Sequence, residues 1–205
     1  MLSSRICHDL AGPIGALGNG VEFLGGRVDD ATRDHANRVI ADSTRQAAAR
    51  LAFYRAAFGV GGSMGDQVRL SELRDMSAAL LEGGRVQLDW EPGDDVLPRH
   101  SMRLLLNLVL LGVEALPRGG VLRVGLAAPE GSAERMMLVV AEGPMLKLTP
   151  RIQSLLLEGG LGGDPKPMEP KESPALLTHR LAAALGSRLN CAEEPGHVIL
   201  AASLI

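Results

Sequence analysis

The sequence predicts an α+β protein: an N-terminal antiparallel helical hairpin that pairs with a second copy into a dimeric four-helix bundle, followed by a two-layer α/β sandwich. Three observations predict it. Apolar residues recur at steps of three and four through the first part of the chain, which is the helical period. A glycine-rich run, GVGGSMGD at 59–66, then breaks the pattern. Beyond it, short alternating apolar segments interleave with further helical ones.

Leu2, Ile6, Leu10, Ile14, Leu17, Val21 and Leu24 form the apolar stripe of a first helix, which Ser3 or Ser4 can cap and Gly25 and Gly26 end. Asp29 or Asp30 can cap a second helix that runs to about Phe58 and keeps Val39, Ile40, Ser43, Ala47, Leu51, Tyr54 and Phe58 on one side. The short loop between them makes the pair antiparallel. One hairpin cannot cover both stripes, so a second copy is the expected partner. The run at 59–66 reads as a linker, separating a unit at 1–60 from one at 67–205.

In the second unit, helices are expected at 71–83, 99–116, 150–158 and 173–186, and strands at 86–90, 121–127, 136–141, 188–192 and 198–204. This interleaving gives two layers, helices on a sheet. The longest apolar stretch, 104–116, contains Asn107 and Glu114 and is too short to span a bilayer, so it is expected to be a buried helix. Residues 159–174 carry glycines and prolines and are expected to be an irregular loop.

Composition narrows the function classes. A formal charge of -3 over 205 residues of mixed sign offers no broad basic field, so nucleic acid and anionic membranes are not expected partners. The two cysteines, Cys7 and Cys191, match no zinc or redox spacing and are expected to be reduced thiols. The first residues reach Asp9 before any apolar signal core forms, so a cytoplasmic protein is expected.

The chemistry points to His8. At about 100° per residue, His8 lies opposite the apolar stripe of the first helix and faces solvent. Gly12, Gly15, Asn19 and Glu22 follow it on the same side, and Arg5 and Asp9 flank it. An exposed helical glycine costs about 1 kcal/mol relative to alanine, so two beside His8 call for a reason. Close approach of another protein is one such reason. Pro13 lacks an N–H and frees a carbonyl near Asp9. Neutral imidazole is a nitrogen nucleophile near pH 7, and the Asp9 carboxylate can hold its other N–H and steady the ring's positive charge. His8, Asp9 and Arg5 are therefore the candidate catalytic residues, and Gly12, Gly15, Asn19 and Glu22 the candidate partner surface. His35, His100, His179 and His197 lack this context and show no metal-ligand spacing. Met136, Met137 and Trp90 read as packing residues.

The run Ser4-Arg5-Ile6-Cys7-His8-Asp9-Leu10, then Pro13, then Gly15-Ala16-Leu17-Gly18-Asn19-Gly20 with Glu22, resembles the phosphoacceptor helix of ChpT-type histidine phosphotransferases, relay proteins of alphaproteobacteria. The histidine, acid and proline are shared with sensor histidine kinases; the combined run is more specific. The resemblance extends into the second unit, which in that family is similar to a histidine kinase ATP-binding domain. Leu105 to Ala115 is similar to the kinase asparagine box, but Leu111 stands where a second asparagine helps hold Mg²⁺. Ala141 stands where an aspartate reads adenine, and an alanine cannot accept that hydrogen bond. Pro174 and Ala175 replace the glycines that cradle phosphates at the entry of a helix. The other glycine cluster, at 158–163, is followed by Asp164-Pro165-Lys166-Pro167 and not by a helix.

The resemblance implies reversible phosphoryl transfer between His8 and receiver-domain aspartates, with the receivers of a hybrid histidine kinase and of response regulators as partners. It also implies a homodimer, no cofactor held by this chain, and Mg²⁺ carried by the receiver. One alternative is an ATP-dependent sensor-type histidine kinase, which would carry aspartate in place of Ala141 and asparagine in place of Leu111. The other is a non-catalytic dimeric docking protein in which His8 is incidental.

Overall fold

A computed structural model of the chain describes residues 2–59, 66–91, 93, 95–128, 134–160 and 166–204. Helices α1 (Leu2–Leu24) and α2 (Asp30–Phe58) form the antiparallel hairpin. Asp29 caps α2 by accepting a hydrogen bond from the Thr32 N–H at 2.7 Å. Gly59 ends the helix at φ +74°, in the left-handed region that glycine occupies without strain. Ser3 and Ser4 do not cap α1: the helix already runs through them from Leu2. The helix starts two or three residues before a serine cap would place it, and Leu2 and Ile6 pack against the core. The helices approach closely at Gly20, where an added Cβ would lie 2.7 Å from Ile40 Cγ1.

The second half is built on a five-stranded sheet in the order β2 (Val86–Trp90), β4 (Gly120–Ala127), β5 (Met136–Glu142), β7 (His197–Ser203), β6 (Leu189–Glu194). Strands β2 and β4 are parallel, with Val86 opposite Gly120, and every other neighbour pair is antiparallel. A separate two-stranded ribbon joins β1 (Gln67–Arg69) to β3 (Val96–Pro98). These strands were not expected, because three residues are too few to show an alternation.

Helices α3 (Leu70–Leu81), α4 (Arg99–Glu114), α5 (Pro150–Leu157) and α6 (Ser173–Leu185) complete this half. Helix α4 lies between the sheet and α6 and is buried over residues 104–112. Met137, Val139 and Ala141 alternate inward from β5 toward it. Gly112 lets α4 sit close to the sheet: an added Cβ would be 2.5 Å from Leu122 Cδ1 and 2.8 Å from Val139 Cγ1. The opposite face of the sheet carries an exposed ionic row, Asp89–Arg123–Glu142, at 2.8 and 3.1 Å.

The two halves meet at the end of α2, where Phe53, Tyr54, Ala57 and Phe58 are buried. Tyr54 stacks on Phe58 with ring centroids 5.4 Å apart. Asn107, fully buried in α4, donates hydrogen bonds from Nδ2 to the carbonyl oxygens of Ala57 and Arg103, each at 2.8 Å. The side chain that the asparagine-box resemblance singled out thus ties the core helix to the hairpin.

One other expectation changes. Within 159–174, residues Pro170–Glu172 form a 3₁₀ turn and α6 opens at Ser173. The turn is held because the Glu172 carboxylate accepts from the Glu169 N–H at 2.7 Å and from Arg151 Nε at 2.6 Å. Leu51, on the apolar side of α2 that one hairpin is not expected to cover alone, is 46% exposed in the single chain. Residues 60–65 of the expected linker and 161–165, which include part of the glycine cluster at 158–163, lie outside the described residues. No described helix is long and apolar enough to cross a membrane.

Candidate functional site

The His8 side chain projects from α1 with 86% of its surface exposed, whereas Asp9 beside it retains 16% and Arg5, one turn back, 14%. His8 Nδ1 lies 3.0 Å from Asp9 Oδ1, which leaves Nε2 facing outward. The other carboxylate oxygen, Oδ2, accepts hydrogen bonds from the Tyr54 hydroxyl at 2.5 Å and from Arg5 Nε at 2.6 Å. Arg5 in turn donates to Glu114 at the end of α4. A single chain of contacts therefore runs from the core helix through Arg5 and Asp9 to the exposed imidazole.

Pro13 shapes the backbone of this site. A residue with an N–H at that position would bond the carbonyl of Asp9, four residues back; Pro13 cannot. Arg50 of α2 supplies the missing donor, from Nη1 to Asp9 O at 2.8 Å. The freed carbonyl is not left open to solvent: it is the socket for a guanidinium from the facing helix.

Burial opposes the charge of the Asp9 carboxyl, but hydrogen bonds from Tyr54, Arg5 and His8, together with the Arg5 charge, hold it below its ordinary value. The Tyr54 hydroxyl is pushed far up by burial and by donating to that carboxylate, so it stays a donor. Burial also works against the charge of Arg5, and Glu114 and Asp9 more than restore it. Burial draws the Glu114 carboxyl upward against the pull of Arg5. Asp9 is thus a fixed anion with both oxygens assigned.

A cleft of about 340 Å³ opens between the two helices, lined by His8, Asp9, Gly12, Pro13, Gln46 and Arg50 among others. Gly12 belongs to it, and Gly15 lies further along the same exposed surface; an added Cβ at either would meet nothing within 4 Å. Asn19 and Glu22 do not reach the cleft and instead flank a separate hollow with Phe23. Arg5, expected to flank His8 as a catalytic residue, is turned inward to Asp9 and Glu114.

Sequence reasoning missed Tyr54, Arg50 and Glu114. A signal existed for one: a proline within a helix leaves a carbonyl that needs a donor, and Arg50 is a polar residue on the facing helix.

The sequence model described as the histidine phosphotransferase C-terminal domain matches residues 70–196. The chain belongs to this histidine phosphotransferase family. It is 38% identical over 158 residues to the protein phosphotransferase ChpT of Brucella abortus (strain 2308), covering 76% of this chain and 72% of that one. A solved bacterial phosphotransferase superposes with a TM-score of 0.81 at 31% identity, over 98% of this chain and 93% of the other. A histidine kinase domain from Erythrobacter litoralis EL346 aligns at a TM-score of 0.47 and 12% identity, over 98% and 95% of the two chains. In this phosphotransferase the positions compared with an ATP site belong to the packed interior: Leu111 is 2% exposed, Ala141 0% and Ala175 0%.

Proposed function

We propose that the chain relays a phosphoryl group between receiver-domain aspartates through a phosphohistidine at His8, acting as a homodimer in the cytoplasm. The observation that carries this reading is an exposed imidazole whose Nδ1 is held by a half-buried, doubly anchored carboxylate while Nε2 faces solvent. With the ring proton on Nδ1 against Asp9, the Nε2 lone pair attacks the phosphorus of a receiver's aspartyl phosphate. The N–P bond forms as the P–O bond breaks, and the electron pair of that bond leaves on the receiver carboxylate. The ring becomes a phosphoimidazolium whose Nδ1–H remains hydrogen-bonded to Asp9, and reversal returns the group to a second receiver.

Such a step is mostly in-line positioning and charge neutralisation, with Mg²⁺ brought by the receiver. Tyr54 and Arg5 act as positioning residues, since they fix Asp9. The partners are the receivers of a hybrid histidine kinase and of response regulators. Gly12 and Gly15 give them room, and Asn19 and Glu22 extend the docking face. ATP is not the donor on this reading, because the Leu111, Ala141 and Pro174 positions offer it no polar anchor.

The two hairpins of the dimer meet in a four-helix bundle through apolar side chains that one chain leaves uncovered: Ile14 at 58%, Val21 at 54%, Phe23 at 62% and Leu51 at 46% exposure. On this reading 1–60 is the transfer and dimerisation unit and 67–205 the supporting one. The test is incubation with a phosphorylated receiver and, separately, with Mg-ATP. The receiver should place acid-labile label on the protein, Mg-ATP should not, and His8→Ala should abolish the label while melting within a few degrees of the parent. Undiminished labelling of His8→Ala would overturn the assignment.

A further inference from the structure

We infer that Arg50 is the cation that contacts the transferring phosphoryl group, an inference that rests on His8 being the phosphoacceptor and extends it to a residue on the other helix. Four observations converge. First, Arg50 is held in place without being neutralised. One of its N–H groups is committed to the neutral carbonyl of Asp9, and no described carboxylate pairs with it within ion-pair distance. Arg5, the other arginine near Asp9, is by contrast bound to two carboxylates.

Second, Arg50 lines the same cleft as His8, and among the residues lining it Arg50 is the permanent cation. Third, Gly12, which lines the same cleft, leaves open space beside it, since nothing stands within 4 Å of where its Cβ would be. Fourth, the backbone defect that seats Arg50 lies five residues after His8, so the same proline that interrupts the helix also fixes a guanidinium on the wall of the cleft. A guanidinium presents up to five N–H donors in a planar fork, and one is used here.

The chemistry calls for such a group. A phosphoryl group in transfer carries its charge on three equatorial oxygens, and stabilising that charge is most of the catalysis. During the encounter, the receiver's own cation can share this task. Once the receiver leaves, the phosphohistidine has only the charges of this chain, and Arg50 is the one placed to meet it. Arg50 makes and breaks no covalent bond: the N–P bond forms at His8 as the P–O bond to the receiver aspartate breaks, and the guanidinium contacts the oxygens throughout.

The experiment uses the full chain, phosphorylated by the small-molecule donor phosphoramidate and by a phosphorylated receiver, with phosphohistidine followed by phosphorus NMR. Arg50→Gln keeps a donor for the Asp9 carbonyl and removes the charge; Arg50→Lys keeps the charge. Arg50→Gln should melt near the parent temperature, yet slow His8 phosphorylation or shorten the phosphohistidine lifetime by about tenfold or more, the scale of one charged hydrogen bond. Arg50→Lys should recover most of that loss. Gln46→Glu offers an independent measurement, because it sets a negative charge into the cleft without touching the Asp9 carbonyl, and it should also slow phosphorylation.

Parent-like rates and lifetimes in Arg50→Gln would overturn the inference. So would equal losses in Arg50→Gln and Arg50→Lys, which would mark a purely structural role, or, should Arg50→Gln not fold, parent-like rates in Gln46→Glu. Absence of label on His8 in the parent protein with either donor would instead sink the reading on which this one rests.

Discussion

Helices α1 and α4 are both rich in leucine, and they spend their apolar residues differently. Helix α4 buries an unbroken run over residues 104–112, while α1 leaves Ile14 and Val21 more than half exposed and sets a histidine in solvent. Their polar residues follow the same division. Asn107 is locked to backbone carbonyls in the interior, whereas His8 keeps one ring nitrogen free. The difference teaches where stability and reactivity reside: α4 is the centre of the packed core, and α1 is held by that core through Arg5 and Glu114 so that its outer face can remain open.

This contrast can be broken most forcefully in the core. Leu106→Ala in α4 removes a fully buried side chain and is expected to cost about 2–5 kcal/mol in urea denaturation, with the transfer chemistry untouched wherever the protein remains folded. Val21→Ala in α1 should cost well under that in a dilute monomeric sample. If the two losses are equal at working concentration, Val21 is as covered in the assembly as Leu106 is in the chain, and the second hairpin lies on it.

A smaller effect is expected from Asn107→Ala, about 1–3 kcal/mol, since the buried Ala57 carbonyl loses its donor. The measurement to pair with it is hydrogen exchange in α2, which should accelerate near Phe58. Unchanged exchange would show that the apolar contacts of Phe53 and Phe58 hold the hairpin without this tie.

Tyr54→Phe tests the link between the two halves through pH. The Asp9 carboxyl is held below its ordinary value, so its contribution to stability is complete above roughly pH 3.9, the usual aspartate value, and is lost as pH falls through the lower folded value. Removing the Tyr54 donor takes away one cause of that depression. The protein should therefore lose stability at neutrality, the loss should fade as pH falls through the folded Asp9 value, and the acid-unfolding midpoint should move to higher pH. A midpoint that stays put would leave Arg5 as the sufficient anchor of Asp9.

The smallest expected stability effect is at Gly15. Gly15→Leu meets no neighbour within 4 Å of the new Cβ and should leave stability level or raise it by up to about 1 kcal/mol. Transfer to a receiver should nevertheless slow, because the added side chain stands on the approach to His8. A normal rate with the cognate receiver would remove access as the reason for this glycine.

Much of the fold was legible because it is periodic. The helical steps from Leu2 to Leu24 and the β5 alternation of Met137, Val139 and Ala141 each repeat long enough to declare their geometry. The β1 and β3 ribbon and the Pro170–Glu172 turn were not, since three residues carry no period and the turn is closed by side-chain bonds from Glu172 and Arg151. In the site, His8 and Asp9 announced themselves by adjacency. Tyr54, Arg50 and Glu114 reach it from 45, 41 and 109 residues away along the chain, and no local pattern encodes such meetings.

Pro13 also governs when the site can exist. In an isolated α1 the Asp9 carbonyl would have neither its helical donor nor Arg50, and the Asp9 carboxylate would lack Tyr54, since both partners sit on α2. The carboxylate that orients His8 therefore becomes rigid only when the second helix has docked. A nascent or partly unfolded chain carries the same imidazole on a proline-weakened helix without these two contacts, so on the proposed reading competence to react would be acquired at hairpin closure.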